Sequence, residues 1–199
     1  MAKPRKSNQD KSLTTEILEL FPLQGEWTEE YYFRLPDTNR FVELSEGRLV
    51  IPDMPGDSHQ KAVLRLAGLI DDYVLMHNLG EVRIAPLPVR LWQGKIREPD
   101  IIYMSRDHIE RINEEYWDVP DLAVEIISRS TAQIDRMEKF IEYAQAGIAE
   151  YWLVNPMEHT IEVYALDQGK YRLLGKWNVG QIAHSKMLTG FEVAVDAVV

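Results

Sequence analysis

Hydrophobic and polar residues alternate along several short segments of this chain, and a period of two is typical of β-strands with one buried face. Two pairs of such segments flank short turns that contain Gly47 and Gly169, and each pair predicts a β-hairpin. Further strands are predicted where apolar residues cluster. The predicted strands cover residues 41–44, 48–51, 82–87, 89–92, 96–104, 122–128, 151–154, 161–166 and 171–177.

Two longer segments have apolar residues at helical spacing. The first predicts a helix over residues 58–77, with Ser58 as its N-cap. The second predicts a helix that begins at a capping box of Ser130 and Gln133 and ends at Gly147. Its predicted buried stripe consists of Ile134, Met137, Phe140, Ile141 and Ala144, and shorter helices are predicted over residues 13–20 and 106–115.

These elements together predict an α/β fold with a mixed central β-sheet flanked by helices. The N-terminal and C-terminal β-hairpins are predicted as additions to that sheet. The segment 122–128 is nearly all apolar, which indicates a central strand that is buried on both faces. With 199 residues the chain can fill one core, so we expect a single domain over residues 12–199, preceded by a disordered basic arm over residues 1–11.

Composition narrows the function classes. The chain has no cysteine, which excludes disulfides, thiol nucleophiles and cysteine-ligated zinc. No apolar run reaches the roughly 18 residues of a membrane span, so we expect no membrane partner and a cytoplasmic location. The net charge is −10, which disfavours broad affinity for nucleic acid unless cations are concentrated locally or a homodimer assembles a basic surface.

Two carboxylates occupy positions where a charge is costly. Glu125 interrupts the apolar segment 122–128, and Asp100 follows Pro99 at the start of another predicted strand. Their separation of 25 residues fits two neighbouring strands joined by a short excursion. Side by side they would offer hard oxygen ligands to Mg²⁺ or Mn²⁺. The alternative is structural: an ordinary salt bridge for Glu125 and a strand-entry dipeptide for Asp100.

The pairs Pro99-Asp100 and Glu125-Ile126 resemble the PD-(D/E)xK nucleases, although residue 127 is isoleucine where those proteins have lysine. A longer set resembles the Uma-family putative restriction endonucleases: Glu125 to Ser128, Ser130, Thr131, Asp135, Lys139, Tyr143, Gly147 and Glu150 to Pro156. The resemblance spans residues 27–193. It implies a restriction-endonuclease-like fold and metal-dependent hydrolysis of nucleic acid, expected to be DNA.

The resemblance also assigns roles to residues. Asp100, Glu125 and the Ile126 carbonyl would hold the metal ion, and Lys139, moved from the strand to the following helix, would stabilise the attacked phosphate. Helical spacing alone favours a different reading, in which Lys139 pairs with Asp135 on a solvated face. An alternative function is a catalytically lapsed nuclease fold that serves as a binding or assembly module.

Five further residues are candidates for accessory roles. His59 lies near the start of its helix, where it would contact phosphate or polarise water, or serve only as a structural histidine. Glu43, in the first hairpin, would add a metal ligand or simply be an exposed strand residue. Three arginines close in sequence to the carboxylates are candidates for binding phosphate: Arg97, Arg129 and Arg136.

Overall fold

The computed structural model describes residues 21–36 and 41–199. The predicted basic arm and the predicted helix over residues 13–20 lie outside these residues. The strands are β1 Glu43–Ser45, β2 Arg48–Val50, β3 Gly80–Ile84, β4 Val89–Trp92, β5 Lys95–Arg97, β6 Ile101–Ser105, β7 Trp117–Asp118, β8 Leu122–Ile126, β9 Glu150–Asn155, β10 Thr160–Asp167, β11 Lys170–Asn178, β12 Ile182–His184 and β13 Glu192–Ala194. The helices are α1 Glu29–Tyr32, α2 Asp57–His77, a 3₁₀ helix Arg106–Arg111, a π-helical segment Ile134–Lys139 that continues into α3 Phe140–Ala146, and α4 Val195–Val198.

A six-stranded sheet with the order β11-β10-β9-β8-β6-β3 forms the centre of the fold. Strands β8 and β9 are parallel and the other neighbours are antiparallel, so the predicted mixed central sheet is confirmed. The predicted C-terminal hairpin, β10 and β11, extends this sheet at one edge. The predicted N-terminal hairpin, β1 and β2, instead belongs to a second sheet with the order β2-β1-β5-β4-β7.

The predicted strand over residues 96–104 is divided between the two sheets. Its first part is β5 in the five-stranded sheet, and its second part is β6 in the six-stranded sheet. The chain crosses between them through Pro99, which has no N–H group to donate to a continuous strand ladder. Asp100 therefore lies where the two sheets meet.

Helix α2 covers one face of the six-stranded sheet. Its residues Leu66, Ile70 and Val74 are fully buried and belong to the same apolar cluster as Val124 and Trp152 of the sheet. The helix begins one residue before the predicted N-cap Ser58, because Gly56 occupies the N-cap position without a side-chain hydrogen bond. In the described part of the chain, no helix is long and apolar enough to cross a membrane.

Helix α3 covers the opposite face of the sheet. The helical segment does not bury the side that the sequence analysis predicts. Met137 and Ile141, predicted as buried, are 58% and 65% exposed, whereas the polar stripe of Asp135, Lys139 and Tyr143 is buried. The apolar-stripe prediction is therefore wrong at these positions. The physical reason is that the polar side chains pair with charged and hydrogen-bonding groups on the sheet. If the apolar side of the helical segment faced the sheet instead, those groups would stay unpaired.

The start of this helical segment also differs from the prediction. Ser128 and Thr131 cap each other reciprocally: each hydroxyl accepts a hydrogen bond from the other residue's backbone N–H over 3.2 Å. The capping box therefore lies two residues upstream of the predicted one at Ser130 and Gln133. The helical turns that follow are π-helical, a geometry found often at functional sites.

Candidate active site

Glu125 is on β8, and Asp100 immediately precedes the neighbouring strand β6. Ile101 of β6 is opposite Val124 of β8 in antiparallel register, which places Asp100 opposite Glu125 one position further along. The backbone N–H of Ile126 donates to Oδ2 of Asp100 over 2.7 Å. Both side chains are buried. The strand adjacency that their spacing predicts is present.

Lys139 reaches Glu125 from the helical side. Side chains alternate along β8, so Glu125 points to the face that α3 covers. The Lys139 ammonium donates to Oε1 of Glu125 over 2.9 Å and lies 3.4 Å from Oε1 of Glu43 and 3.5 Å from Oδ1 of Asp135. The i,i+4 pair with Asp135 exists, but Lys139 is only 7% exposed, so the pair is not on a solvated face.

The electrostatics of this cluster are dominated by buried carboxylates. Burial by itself would lower the pKa of Lys139, but Glu125, Glu43 and Asp135 outweigh it and raise the pKa well above its usual value. Burial raises the pKa of Glu125 well above its usual range, and Lys139 opposes this only in part. An additional cation would therefore stabilise the ionised form of Glu125.

Tyr143 belongs to the set that resembles the family, but the sequence analysis assigned it no role at the site. Its hydroxyl donates to Oε1 of Glu125 over 2.6 Å, so this oxygen accepts from both Tyr143 and Lys139. The available signal was its spacing, because Tyr143 continues the helical stripe of Asp135 and Lys139. The two donors fix the position of the Glu125 carboxylate.

Glu43 and Arg97 bring the five-stranded sheet into contact with the site. Arg97 donates to Oε2 of Glu43 over 2.6 Å and to both carboxylate oxygens of Glu142 over 2.8 and 3.0 Å. It is 1% exposed, so its guanidinium is not open to phosphate, which corrects the predicted role. Arg97 holds Oε2 of Glu43, and Oε1 of Glu43 lies beside the Lys139 ammonium. Glu43 therefore positions the lysine.

The other two predicted phosphate ligands differ from each other. Arg136 forms a bidentate pair with Glu162, with both distances 3.0 Å, which commits its guanidinium to strand β10. Arg129 is exposed and follows Ser128, one of the residues at the site. In residues 21–36 and 41–199 it forms no ion pair, so it stays a candidate for contacting phosphate.

His59 contacts Asp100 from helix α2. Its Nε2 lies 3.2 Å from Oδ2 of Asp100, and its Nδ1 is buried with no hydrogen-bond partner among the described residues. Burial and the charge of Glu43 raise the pKa of nearby Glu98 to about 7. His59 therefore orients Asp100 at the mouth of a strongly acidic cluster.

A small cavity of about 40 Å³ connects these groups; its walls include Asp100, Glu125, Ile126 and Lys139. The described residues contain no group of three or more histidine or acidic side chains arranged to hold a metal ion. The donor chemistry nevertheless fits a hard divalent ion, because within the described chain Oδ1 of Asp100 and Oε2 of Glu125 accept no hydrogen bond. The volume exceeds the roughly 15 Å³ that one water requires.

The mixed sheet covered by helices on both faces has the restriction-endonuclease-like fold expected from the sequence, and it brings Asp100, Glu125 and Lys139 together at one site. The family described as "Uma2: Putative restriction endonuclease" matches residues 28–196, and the chain belongs to this family. The resemblance stated from the sequence is thereby confirmed. Restriction-endonuclease-like proteins generally use divalent metal ions.

A solved structure has the same fold. It is the 1.96 Å crystal structure of "a putative nuclease belonging to DUF820" from Anabaena variabilis ATCC 29413. The TM-score is 0.70 at 19% sequence identity, and the similarity covers 86% of this chain and 96% of that one. No curated protein matches the chain.

Proposed function

We propose that this protein is an endonuclease that uses Mg²⁺ or Mn²⁺ to hydrolyse phosphodiester bonds, with DNA as its substrate. The observation that carries the proposal is the contact of 2.9 Å between Lys139 Nζ and Glu125 Oε1, at a cavity that Asp100 also lines. Carboxylates and a lysine in this arrangement supply metal ligands and a cation for phosphoryl chemistry.

Each side chain has a distinct role in this proposal. Asp100 and Glu125, with the Ile126 carbonyl, would hold the metal ion, which polarises a phosphoryl oxygen and lowers the pKa of a bound water. Lys139 stabilises negative charge on the attacked phosphate and orients the water. Tyr143 keeps Glu125 in place by donating to the same oxygen as Lys139. His59 holds Asp100 through the oxygen that also accepts from the Ile126 N–H.

The alternative function is a binding or assembly module with a lapsed site. Its support is the net charge of −10 and the engagement of Arg97 and Arg136 by carboxylates, which removes two of the three arginines that were candidates for binding phosphate. The site itself favours the enzyme, because among the described residues neither Asp100 nor Glu125 is paired with an arginine.

The test is cleavage of single-stranded and duplex DNA and RNA in Mg²⁺, Mn²⁺ or EDTA. We expect cleavage of DNA that requires the metal and is lost in Asp100→Asn. Asp121→Asn is the matched control, because Asp121 is also a buried aspartate beside β8 but contacts Ser105 and His108 instead of the site. Absence of metal-dependent cleavage on every substrate, or full activity in Asp100→Asn, would contradict the proposal.

A further inference from the structure

A second and larger cavity adjoins the candidate active site. Its volume is about 510 Å³, and it lies against the first turns of α2 and the end of β3. The two cavities have four wall residues in common: Phe41, Pro55, His59 and Asp100. A molecule in the larger cavity would therefore lie directly beside the proposed metal ligands.

The walls of the larger cavity combine apolar and cationic side chains. Leu64 is 74% exposed, and Ile84 is also exposed; such apolar surface beside a site indicates a binding function. Lys61 and Arg65 come from the same helix and, within the described ranges, form no ion pair with a carboxylate. They offset the acidic side chains Asp57 and Asp100 in the same wall.

We propose that this cavity binds one unpaired nucleotide of the substrate strand, next to the phosphate that is cut, and that the substrate is single-stranded DNA. The proposal rests on the proposed nuclease function. The volume falls within the range of about 300–1,000 Å³ for small-molecule sites, so it suits a single nucleotide. A base reaches such a cavity only when it is outside a duplex.

The side chains in the wall of the larger cavity match both the base and the phosphates of a nucleotide. Phe41, at the boundary between the cavities, provides the aromatic face on which the base stacks, and base–aromatic stacking tolerates any sequence. Lys61 and Arg65 neutralise the flanking phosphates.

The first experiment compares substrates. A DNA oligonucleotide is assayed alone, annealed to its complement, and annealed with one unpaired nucleotide in the middle. We expect kcat/KM on the single strand to exceed that on the perfect duplex by about tenfold or more, with the bulged duplex cut mainly at the unpaired nucleotide. Equal kcat/KM on all three would overturn the single-strand proposal while leaving the nuclease function intact.

The second experiment uses variants and a binding measurement that does not depend on cleavage. Fluorescence anisotropy in EDTA measures the Kd for the same single strand. Leu64→Asp and Phe41→Leu should each weaken binding by about tenfold, because one introduces an anion and the other removes the stacking face. Leu75→Asp is the control, since Leu75 is 66% exposed on the same helix but outside the cavity wall.

The two proposals fail in different ways. Equal Kd values for wild type, Leu64→Asp and Leu75→Asp would refute the nucleotide site, whatever the cleavage assay shows. A selective loss of binding in Leu64→Asp and Phe41→Leu, in a protein that cuts none of the substrates, would support the nucleotide site and refute the nuclease function.

Discussion

The ammonium group of Lys139 donates a hydrogen bond to Oε1 of Glu125 over 2.9 Å, and this contact joins the π-helical segment to strand β8. Both side chains are buried, and burying either charge without an opposite charge beside it would be costly. Glu43 and Asp135 also surround Lys139, so a single lysine compensates several carboxylates. The stability of the site and its chemistry therefore depend on the same residue.

Lys139→Ala should abolish cleavage and also destabilise the protein. Removing the cation leaves buried carboxylates unpaired, and we expect the free energy of unfolding at pH 7 to fall by about 3–5 kcal/mol. Without Lys139 the pKa of Glu125 in the native state rises further. The variant therefore loses stability as the pH rises above the pKa of Glu125 in the unfolded state, because the buried carboxyl group resists ionisation. Urea unfolding should therefore show a smaller deficit at pH 5 than at pH 7.

Lys139→Arg is the matched control for charge. It keeps the cation, so most of the stability should remain, but a planar guanidinium does not replace a compact ammonium beside the attacked phosphate and activity should drop. A solvated pair with Asp135 would instead give only a few tenths of a kcal/mol for Lys139→Ala. Wild-type cleavage by both variants would remove Lys139 from the mechanism.

Divalent metal should stabilise the folded protein through Asp100 and Glu125. At a Mg²⁺ or Mn²⁺ concentration about 100-fold above Kd, binding contributes about 2.7 kcal/mol, which corresponds to a Tm increase of about 5–10 °C for a domain of this size. The increase should vanish in Asp100→Asn and Glu125→Gln and persist in Asp121→Asn. Differential scanning fluorimetry would measure it, and equal shifts in all four proteins would contradict a shared ion site.

Arg129 and Arg136 should differ in their effect on DNA binding. Arg129 is exposed next to the site, so Arg129→Ala should weaken binding and reduce the slope of log affinity against log salt by about 1. Arg136→Ala should leave the slope unchanged, because Glu162 already holds that guanidinium. Anisotropy titrations at several salt concentrations would measure both, and an equal loss in the two variants would contradict the distinction.

Glu162 should make stability depend on pH in the acid range. Burial by itself would raise its pKa, but hydrogen bonds from Arg136 and Tyr164 outweigh burial and lower the pKa to about 2. The ionised carboxylate therefore stabilises the native state above about pH 4.5, and this contribution disappears as the pH falls towards 2. Because Arg136 is partly exposed, we expect Glu162→Gln to cost only about 1–2 kcal/mol at pH 7.

The difference between wild type and Glu162→Gln should shrink as the pH falls from 5 to 3. Glu158→Gln is the control, since Glu158 is exposed and lies 3.8 Å from Lys176, so its effect should stay within about 0.5 kcal/mol. Thermal unfolding across this pH range would measure both variants. A difference for Glu162→Gln that stays constant from pH 7 to pH 3 would contradict the assignment.

Some features of this protein are determined locally and could be predicted from the sequence. In the hairpin turns, Glu46-Gly47 and Gln168-Gly169 all have positive φ, which is the conformation that glycine at the second position favours. At Gly47 a side chain would also lie 2.5 Å from the carbonyl oxygen of Gly25. Apolar residues at helical spacing correctly predicted α2, and the spacing of Asp100 and Glu125 correctly predicted that they lie at the neighbouring strands β6 and β8.

The tertiary structure decided which polar residues are buried, because the hydrophobic pattern of the sequence could not predict it. Lys139 and Tyr143 are buried because Glu125 and Glu43 come from strands distant in sequence, and no local period carries that information. Arg97 is enclosed for the same reason, since its carboxylate partners come from β1 and α3. A hydrophobic pattern reflects the free energy of transferring each side chain to an apolar interior, and by that measure a charged side chain prefers solvent. Here the interior contains opposite charges, and these reverse the preference for solvent.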